Sequence, residues 1–373
     1  MKIAKIDVYQ VDLPYAGGVY HLSGGREYRS FDATIVCITT ACGLQGWGES
    51  TPFGASYIAA HARGARAGIA EMAPGLIGHD PRLVDRMNER MDTLLLGHLH
   101  AKTALDVACW DILGKSTGLP VHALLGGSTG QRMPAISSIG TGTPDDMRTR
   151  VAQHRALGYR GHSIKIGATD ADGGPMLDAA RIQACLADRQ AGEFFLCDAN
   201  GGMLPEQVLR LLRVLPDGLD FVLEAPCATW RETASVRARC NVPIILDELA
   251  QDDCDVAQAV AQDICDGIGL KISKNGGLTR GRRQRDICLA AGLTISVQET
   301  TGSDIAFAAI AHLGQTVPAQ SLRCILDTRD MVSVSTAEFD APIVDGGIRA
   351  PDGPGLGVTP KMDVLGNPVA TYA

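Results

Sequence analysis

The sequence predicts an α/β fold, a closed barrel of parallel strands with a smaller companion domain. After about residue 132, eight short apolar runs alternate with amphipathic stretches, a pattern that predicts parallel strands joined by helical crossovers. Eight such units in roughly 200 residues would close into a barrel whose active site lies at the carboxyl ends of the strands. A chain of 373 residues also exceeds the size at which one core usually keeps growing, so we expect a second domain.

The segment before the predicted barrel has two parts. Residues 1–50 alternate apolar and polar positions, as in MKIAKIDVYQVDLP and DATIVCITTACGLQGWGES, which predicts strands and turns. The glycine-containing polar stretch HLSGGREYRS between them predicts a mobile loop. Residues 55–118 carry small and apolar residues at helical spacing, and the run HAKTALDVACWDILGKSTG predicts a long helix that ends at Gly118 and Pro120.

The barrel strands follow from short apolar runs bounded by turn residues. We predict them at PAISSIG, HSIKIG, FFLCDANG, DFVLEAP, VPIILDE, GIGLKIS, LTISVQE and SLRCILD. Helices are expected between them, for example at PEQVLRLLRVL and TRGRRQRDICLAAG, and the glycine-rich tail is expected to return to the first domain. A doubly wound sheet is the structural alternative, but no predicted strand is followed by GxGxxG or GxxxxGK[ST].

Composition argues against several classes of protein. The net charge of −8 disfavours a nucleic-acid surface, which needs clustered Lys and Arg. The 11 cysteines are scattered singly, without a CxxC pair or a Cys/His zinc spacing, and indicate buried reduced thiols in a reducing cytoplasm. The N-terminus lacks the apolar stretch of a signal peptide, and no apolar run is long enough to span a membrane. We therefore expect a soluble cytoplasmic protein.

Ionisable residues recur at the ends of five successive predicted strands, each after an apolar run and before a loop. They are Lys165, Asp198, Glu224, Asp247 and Lys271. Successive members lie 33, 26, 23 and 24 residues apart, about one βα unit each. In a closed barrel all five side chains would therefore converge on one mouth, at the end where barrel active sites lie.

The three acids of this set predict a metal site. Three neighbouring carboxylates repel one another unless a cation neutralises them. Asp198, Glu224 and Asp247 form an all-oxygen donor set, which suits Mg²⁺ better than zinc. The alternative is that each acid only caps the helix after its strand, which fits a single acid better than three on consecutive strands flanked by lysines.

The two lysines predict acid–base chemistry. Lys165 and Lys271 flank the acids in sequence, so a barrel would place them on opposite sides of the metal. Desolvation and a nearby cation would lower a lysine pKa and let the neutral amine act as a base. A metal and a lysine together can abstract the proton next to a carboxylate, because the metal stabilises the enediolate. The alternative for either lysine alone is an ordinary surface residue.

These residues resemble the enolase superfamily, in particular its mandelate racemase and muconate-lactonising branch. The resemblance spans nearly the whole chain and includes the segment AKTALDVACWDILGKSTGLPVHALLGG, the three acids and both lysines. It implies a modified (β/α)7β TIM-like barrel (residues 126–340), an α+β capping domain (1–125) and a C-terminal segment that returns to the cap (341–373). It also implies loops near residues 20–30 and 50–60 that close on the substrate, a Mg²⁺ cofactor and a homo-oligomer.

The chain departs from the branch at two strands. The branch often carries Lys-x-Lys on the second barrel strand, with the latter lysine as base; here Ser163 replaces the first lysine and Lys165 keeps the base position. The pKa of Lys165 would then depend more on the metal and on desolvation. On the seventh strand, where the branch often has His or an acid, this chain has Gln298 and Glu299. We expect Ser163, Gln298 and Glu299 to contact the substrate.

Within the branch, WGESTPFGASY, MAPGLIGHDP and GPGLGVTP resemble the proline-betaine racemase and cis-3-hydroxyproline dehydratase group. Betaine-using relatives surround a quaternary ammonium with aromatic residues, for which Tyr57 is the candidate here. Asp327 stands on the eighth strand where those relatives have Trp. Because a carboxylate accepts hydrogen bonds from N–H groups, which a quaternary ammonium lacks, Asp327 favours an unmethylated imino acid. The alternative is that Asp327 pairs locally.

The resemblance thus implies a Mg²⁺-dependent dehydratase of cis-3-hydroxy-L-proline, with Lys165 as base and protonated Lys271 assisting loss of the 3-hydroxyl. The same lysines would also suit a racemase or 2-epimerase of proline betaine or a hydroxyproline betaine. Two alternatives remain. One is a non-catalytic small-molecule binder on a barrel that has lost its catalytic activity, and the other is a metal-dependent hydrolase. The closely spaced His98 and His100 lie in the predicted cap, where we interpret them as a loop feature.

Three further residues are interpreted as structural. Trp47 and Trp110 lie in apolar surroundings and are predicted to pack in the core. Lys274, just past the sixth predicted strand, is expected at the surface, where its proximity to Lys271 could still help to lower that lysine's pKa.

Overall fold

The amino-terminal region forms an antiparallel sheet covered by helices. In this computed structural model, which describes residues 1–373, its strands are β1 (Ile3–Pro14), β2 (Tyr20–Leu22), β3 (Arg26–Tyr28), β4 (Ser30–Thr40) and β5 (Gln45–Ser50). The strands β1, β4 and β5 are neighbours in a four-stranded sheet, and β2 pairs with β3 as a hairpin. Most residues of β4 are buried, which is why this strand is nearly continuous in apolar and small residues.

Four helices complete this region. They are α1 (Ala62–Met72), α2 (Val84–Leu94), α3 (Leu99–Thr117) and α4 (Val121–Leu124). Helix α3 packs directly on β5 because Gly46 and Gly48 have no side chain: a Cβ on Gly48 would lie 2.1 Å from the carbonyl oxygen of Ala104. The helix is buried along almost its whole length and therefore lies between the sheet and the barrel.

Eight parallel strands form a closed barrel. Successive side chains along these strands point in alternate directions. One set of side chains therefore packs inside the barrel, and the other set packs under the helices. The barrel closes where Ile325 and Leu326 of the last strand pair with Ala135 and Ile136 of the first. The strands are β6 (Met133–Ile139), β7 (Gly161–Lys165), β8 (Phe194–Asp198), β9 (Val222–Glu224), β10 (Ile244–Leu246), β11 (Gly267–Lys271), β12 (Thr294–Gln298) and β13 (Leu322–Leu326).

Helices surround the barrel, and the chain then returns to the first sheet. The helices are α5 (Pro144–Ala156), α6 (Gly174–Leu186), α7 (Pro205–Val214), α8 (Trp230–Arg237), α9 (Asp253–Gln262), α10 (Ile272–Asn275), α11 (Leu278–Ala291) and α12 (Asp304–Gly314). The tail contains β14 (Ala337–Glu338), β15 (Gly347–Ile348), β16 (Thr359–Pro360), α13 (Met362–Leu365) and β17 (Ala370–Tyr372). Strand β15 pairs antiparallel with β6, and β17 pairs antiparallel with β1.

The predicted fold class is confirmed, a closed (β/α) barrel with a separate antiparallel cap. Each predicted barrel segment overlaps one observed strand, and only the first two strands begin one residue before the predicted segment. The long predicted helix ends at Thr117, and Gly118 follows in the left-handed conformation (φ 72°) that suits glycine. The stretch HLSGGREYRS, expected to be a loop, instead contributes to the β2–β3 hairpin. No helix of the protein combines the length and the apolar character that crossing a membrane requires. The domain bounds given above stay a prediction.

Replacing Asp111 by Ala should destabilise the protein by about 2–5 kcal/mol, because two or three buried donors would lose their acceptor. Asp111 is fully buried and accepts hydrogen bonds from the backbone N–H of Trp47 at 2.9 Å and of Leu356 at 2.8 Å. Lys115 Nζ donates to the same carboxylate at 2.6 Å. Thermal unfolding followed by circular dichroism measures the loss. Asp217→Ala, in an exposed loop, is the control; an equal Tm for both variants would contradict this role of Asp111.

Candidate active site

Five ionisable side chains lie together at the carboxyl ends of adjacent barrel strands. Lys165, Asp198, Glu224 and Lys271 end their strands, and Asp247 directly follows β10. Lys165 is paired in register with Asp198, and Asp198 with Glu224. None of the five residues is more than 8% exposed. Because β7 and β11 lie four strands apart in a ring of eight, their lysines face each other across the mouth.

Lys165 forms a buried ion pair with Asp198, to which its Nζ donates a hydrogen bond. Asn200 holds the same carboxylate, with its backbone N–H donating to Oδ1 at 2.8 Å and its Nδ2 donating to Oδ2 at 2.9 Å. Burial alone would lower the pKa of Lys165. The charges of Asp198 and Glu224 outweigh that effect, so the pKa of Lys165 lies above its ordinary value.

Asp247 binds two lysines and a tyrosine from the cap. Lys271 Nζ donates to Oδ2 at 2.5 Å, and Lys274 Nζ donates to Oδ1 at 2.6 Å. The hydroxyl of Tyr57 donates to Oδ2 at 2.7 Å and accepts from Lys271 at 2.7 Å. Burial would raise the pKa of Asp247, but the two ammonium groups hold it below its ordinary value. Burial opposes the charge on Lys271, yet Asp247 and its neighbouring acids raise the pKa of that lysine.

The remaining acids lack such partners. Gln298 Nε2 donates to Glu224 Oε1 at 2.9 Å, and no lysine or arginine forms a salt bridge with Glu224. Burial, together with Asp198 and Asp247, raises the pKa of Glu224 well above its ordinary value. Glu248 has a pKa raised to about 7, mainly by burial, and its Oε2 is buried without a hydrogen-bond partner. The lysines at the barrel mouth therefore pair with Asp198 and Asp247 but leave Glu224 and Glu248 without a cationic partner.

This donor set fits a hard divalent cation. Asp198, Glu224 and Asp247 present carboxylate oxygens from three consecutive strands, and all-oxygen coordination is what Mg²⁺ prefers. In the present arrangement the lysines are bound to two of these acids, and no three His, Cys, Asp or Glu side chains are drawn together as a closed metal cage. A cation at this position would compete with Lys165 and Lys271 for the same oxygens.

A small cavity lies between these strand ends and the cap. The cap contributes Tyr20, Leu22, Phe53 and Tyr57 to its lining, and the barrel contributes both lysines. Its free volume of about 30 Å³ is enough for little more than one water molecule. An organic ligand therefore requires the cavity to enlarge, by movement of the cap segments or of the lysine side chains that line it.

Arg26 ties the cap segments to the barrel. Its guanidinium donates to the carbonyl oxygens of Ser23 at 3.0 Å, Ser56 at 3.2 Å and Asn200 at 3.4 Å. Ser23 Oγ also donates to Asn200 Oδ1 at 3.0 Å. The hairpin, the loop that carries Tyr57 and the end of β8 are thus connected through one arginine and one asparagine.

Comparison with known proteins agrees with this geometry. Residues 146–364 match the family model described as enolase C-terminal domain-like. Residues 27–126 match that of the mandelate racemase/muconate lactonizing enzyme N-terminal domain. The chain belongs to the mandelate racemase/muconate lactonizing enzyme branch of the enolase superfamily.

Individual relatives of this enolase-superfamily enzyme cover its full length. A cis-3-hydroxy-L-proline dehydratase from Roseibium aggregatum is 39% identical over 373 residues, all of both chains. A crystal structure of a protein of the mandelate racemase/muconate lactonizing enzyme type from Roseovarius nubinhibens, complexed with magnesium, has 57% identity, complete coverage of both chains and a TM-score of 0.99. Another from Aspergillus oryzae has 63% identity and a TM-score of 0.93, and covers 100% of this chain and 99% of that one. An N-succinyl-L-Arg/Lys racemase from Bacillus cereus is 25% identical, over 98% and 97% of the two chains.

Four of the five residues expected to contact substrate line the cavity; they are Tyr57, Ser163, Gln298 and Glu299. Asp327 does not. Its carboxylate accepts from Arg329 Nε at 2.9 Å and Nη2 at 2.8 Å, while Leu326 lines the cavity. Successive residues of a strand point to opposite faces, and the local pairing that we gave as the alternative for Asp327 is what the structure contains. Asp327 therefore gives no indication of whether the substrate nitrogen is methylated.

Several residues at the site were missed or misplaced by the sequence pattern. Lys274, expected at the surface, is 3% exposed because the short helix α10 turns it back under Asp247. Asn200 and Glu248 lie one or two residues beyond predicted metal ligands, in DANG and LDEL. Polar residues within one or two positions of a barrel strand end face the same mouth of the barrel. This rule could have identified both Asn200 and Glu248. Trp47 and Trp110, predicted as core residues, are 4% and 2% exposed.

Replacing Arg26 by Ala should loosen the cap without unfolding the enzyme. Three hydrogen bonds would be lost, one within the hairpin, one from the hairpin to the Tyr57 loop and one from the hairpin to the end of β8. Amide exchange in both cap segments should therefore rise about tenfold or more. Hydrogen–deuterium exchange with mass spectrometry of peptides covering residues 20–28 and 51–60 measures this. Arg29→Ala is the matched control, because Arg29 is exposed. Unchanged exchange in Arg26→Ala would contradict the role of Arg26.

Proposed function

We propose that this enzyme dehydrates cis-3-hydroxy-L-proline to Δ1-pyrroline-2-carboxylate with the help of Mg²⁺. The observation that carries the proposal is that Lys165 and Lys271 reach one cavity from opposite sides of the barrel. The full-length similarity to a cis-3-hydroxy-L-proline dehydratase supports the choice of reaction. The racemase among the relatives shows that the branch also contains enzymes that only invert a carbon centre.

The stereochemistry of the substrate explains why two lysines are needed. In cis-3-hydroxyproline the hydroxyl and the carboxylate share one face of the ring, so the C2 proton lies on the opposite face. Elimination therefore requires a base on one face and an acid on the other. A lysine on each side of the mouth provides this arrangement.

The two lysines divide the elimination between them. Neutral Lys165 takes the C2 proton, and the electron pair of the C2–H bond is first delocalised into the carboxylate. That pair then forms the C2=C3 double bond as the C3–O bond breaks. Protonated Lys271 gives its proton to the departing hydroxyl, which leaves as water. The enamine product then tautomerises to Δ1-pyrroline-2-carboxylate. The proton taken by Lys165 returns to solvent, and Lys271 is reprotonated.

Asp198, Glu224 and Asp247 would hold the cation. When bound, Mg²⁺ supplies positive charge that stabilises the substrate carboxylate as negative charge develops on it. Lys165 can act as a base only after it leaves Asp198, because that ion pair keeps its ammonium protonated. Asn200 would keep the Asp198 carboxylate oriented when the lysine has moved away.

The cavity supports an unmethylated nitrogen on the substrate. The hydroxyls of Ser138 and Ser163 line the same cavity and can accept hydrogen bonds from an N–H group. A betaine nitrogen has no hydrogen to donate to them.

Replacing either lysine should abolish dehydration but affect proton exchange differently. In Lys165→Ala, the rates of dehydration and of C2 deuterium uptake should both fall at least about 100-fold, which is the usual contribution of a positioned base. Lys271→Ala should lose dehydration and keep C2 uptake, because Lys165 still exchanges its proton with solvent. The measurement is ¹H NMR of cis-3-hydroxy-L-proline with the Mg²⁺-loaded enzyme in D₂O.

The controls separate chemistry from folding. Lys165→Arg keeps the positive charge beside Asp198 but cannot deprotonate, so it should fold and be inactive. Lys2→Ala, at an exposed position, should retain full activity. Full dehydration by either active-site alanine variant would refute the two-lysine mechanism. Deuterium uptake at C2 of a betaine without loss of water would assign the enzyme as a racemase, and no turnover of either compound would leave only a binding function.

Chelation should inactivate the enzyme reversibly. EDTA should lower dehydration at least about 100-fold, because removing the cation leaves the lysines paired with the acids and the developing charge unstabilised. Added Mg²⁺ should restore the rate, and isothermal titration should show one Mg²⁺ site. Glu224→Gln should weaken that binding, whereas Glu206→Gln on the exposed face of α7 should leave it unchanged. Activity that is indifferent to EDTA would remove the assigned role of the three acids.

A further inference from the structure

A second cavity of about 470 Å³ lies between the cap and the barrel. It is lined by parts of segments 58–65 and 96–101, with Gln251 and Lys274 contributed by the barrel. No lining residue is shared with the cavity over the strand ends. The proposed dehydration makes no use of it.

The amino-terminal end of α3 faces this cavity without a cap. Leu99, His100 and Ala101 line it, and no side chain accepts a hydrogen bond from the first turn of the helix. The N–H groups of Ala101 and Lys102 reach the carbonyl oxygen of His98, whereas those of Leu99 and His100 precede the first intrahelical bonds. The positive end of a 19-residue helix is therefore exposed to the cavity.

His100 supplies a second and independent feature. The residue is 5% exposed, its Nδ1 lies 3.2 Å from Ser50 Oγ, and its Nε2 is buried without a hydrogen-bond partner. When the Ser50 hydroxyl donates to Nδ1, Nε2 carries the ring proton and becomes an unused donor. A buried polar atom of this kind usually has a partner, and a ligand in the cavity can provide one.

The charges around the cavity favour an anion. No acidic residue lines it, although the protein as a whole is acidic, and Lys274 carries a positive charge at its barrel side. Lys274 Nζ already donates to Asp247 and to the carbonyl oxygen of Gly269, so its charge is paired and it offers no free donor. The end of α3 and His100 Nε2 are therefore the groups available to an anion. The histidines His61, His98 and His100 do not form a metal-binding group.

We propose that this cavity binds a small oxyanion, a carboxylate or phosphate group, at the uncapped N-terminus of α3, with His100 Nε2 as a donor. The backbone N–H groups of Leu99 and His100 would supply further hydrogen bonds, as they do at other anion sites on helix N-termini. The ligand approaches from the side of the exposed Leu96, which is 85% exposed at the rim.

Isothermal titration of the Mg²⁺-loaded enzyme with inorganic phosphate, and separately with acetate, tests the proposal. We expect one-to-one binding by the wild type and at least tenfold weaker binding by His100→Leu, which removes the donor. Leu96→Glu places a negative charge at the rim and should weaken binding severalfold, while Leu96→Gln, its neutral match, should leave the affinity unchanged. An anion that binds at the active site would be insensitive to all three substitutions.

Each outcome decides the proposal. Binding of phosphate alone assigns the site to a phosphate group, binding of acetate alone assigns it to a carboxylate, and binding of both shows recognition of the oxyanion itself. Equal affinity in the wild type and all variants, or no binding of either anion, would overturn the proposal. If circular dichroism shows that His100→Leu is misfolded, the comparison of Leu96→Glu with Leu96→Gln decides, because that side chain lies outside the core.

Discussion

The crowding of buried carboxylates at one end of the barrel is the constraint on which the rest of the site depends. Like charges on adjacent strand ends disfavour one another, and burial removes the water that would screen them. Lysine ammonium groups bind two of these carboxylates, those of Asp198 and Asp247. Glu224 nevertheless has a raised pKa, and Glu248 has a carboxylate oxygen without a hydrogen-bond partner. The site is therefore built to accept additional positive charge, which is the electrostatic basis for a divalent cation.

The cap is connected to this charge cluster in two ways that differ in rigidity. Helix α3 is fixed to the barrel, since Asp106 accepts hydrogen bonds from Thr279 N at 3.0 Å and Oγ1 at 2.6 Å in a fully buried position. The hairpin and the Tyr57 loop pack against one another through Phe53, and they reach the barrel through hydrogen bonds to residues of the site, including Asp247 and Asn200. Movement of these two segments therefore changes the partners of the site, while the main body of the cap stays in place.

The sequence predicts the barrel well because its signal is local: each strand is a short apolar run bounded by turn residues, and ionisable residues recur at the ends of five successive strands. The sequence predicts poorly what depends on a single residue of register or a single turn. Asp327 and Leu326 differ by one position and face opposite ways, and one turn of helix after β11 decides that Lys274 is buried. The hairpin at residues 20–28 was missed because glycine-rich polar segments form both loops and tight turns.

The replacement of Lys by Ser at position 163 makes the two lysines unequal. Lys271 has Lys274 as a cationic neighbour on the same carboxylate, which opposes the increase in its pKa. Lys165 has no such neighbour, because Ser163 occupies that position and its Nζ is paired with Asp198 alone. Loss of the Asp198 contact and the arrival of a cation would act in the same direction, and both lower the pKa of Lys165. In the proposed mechanism, Lys165 would thus depend on metal binding to become a base more than the corresponding lysine of a Lys-x-Lys site would.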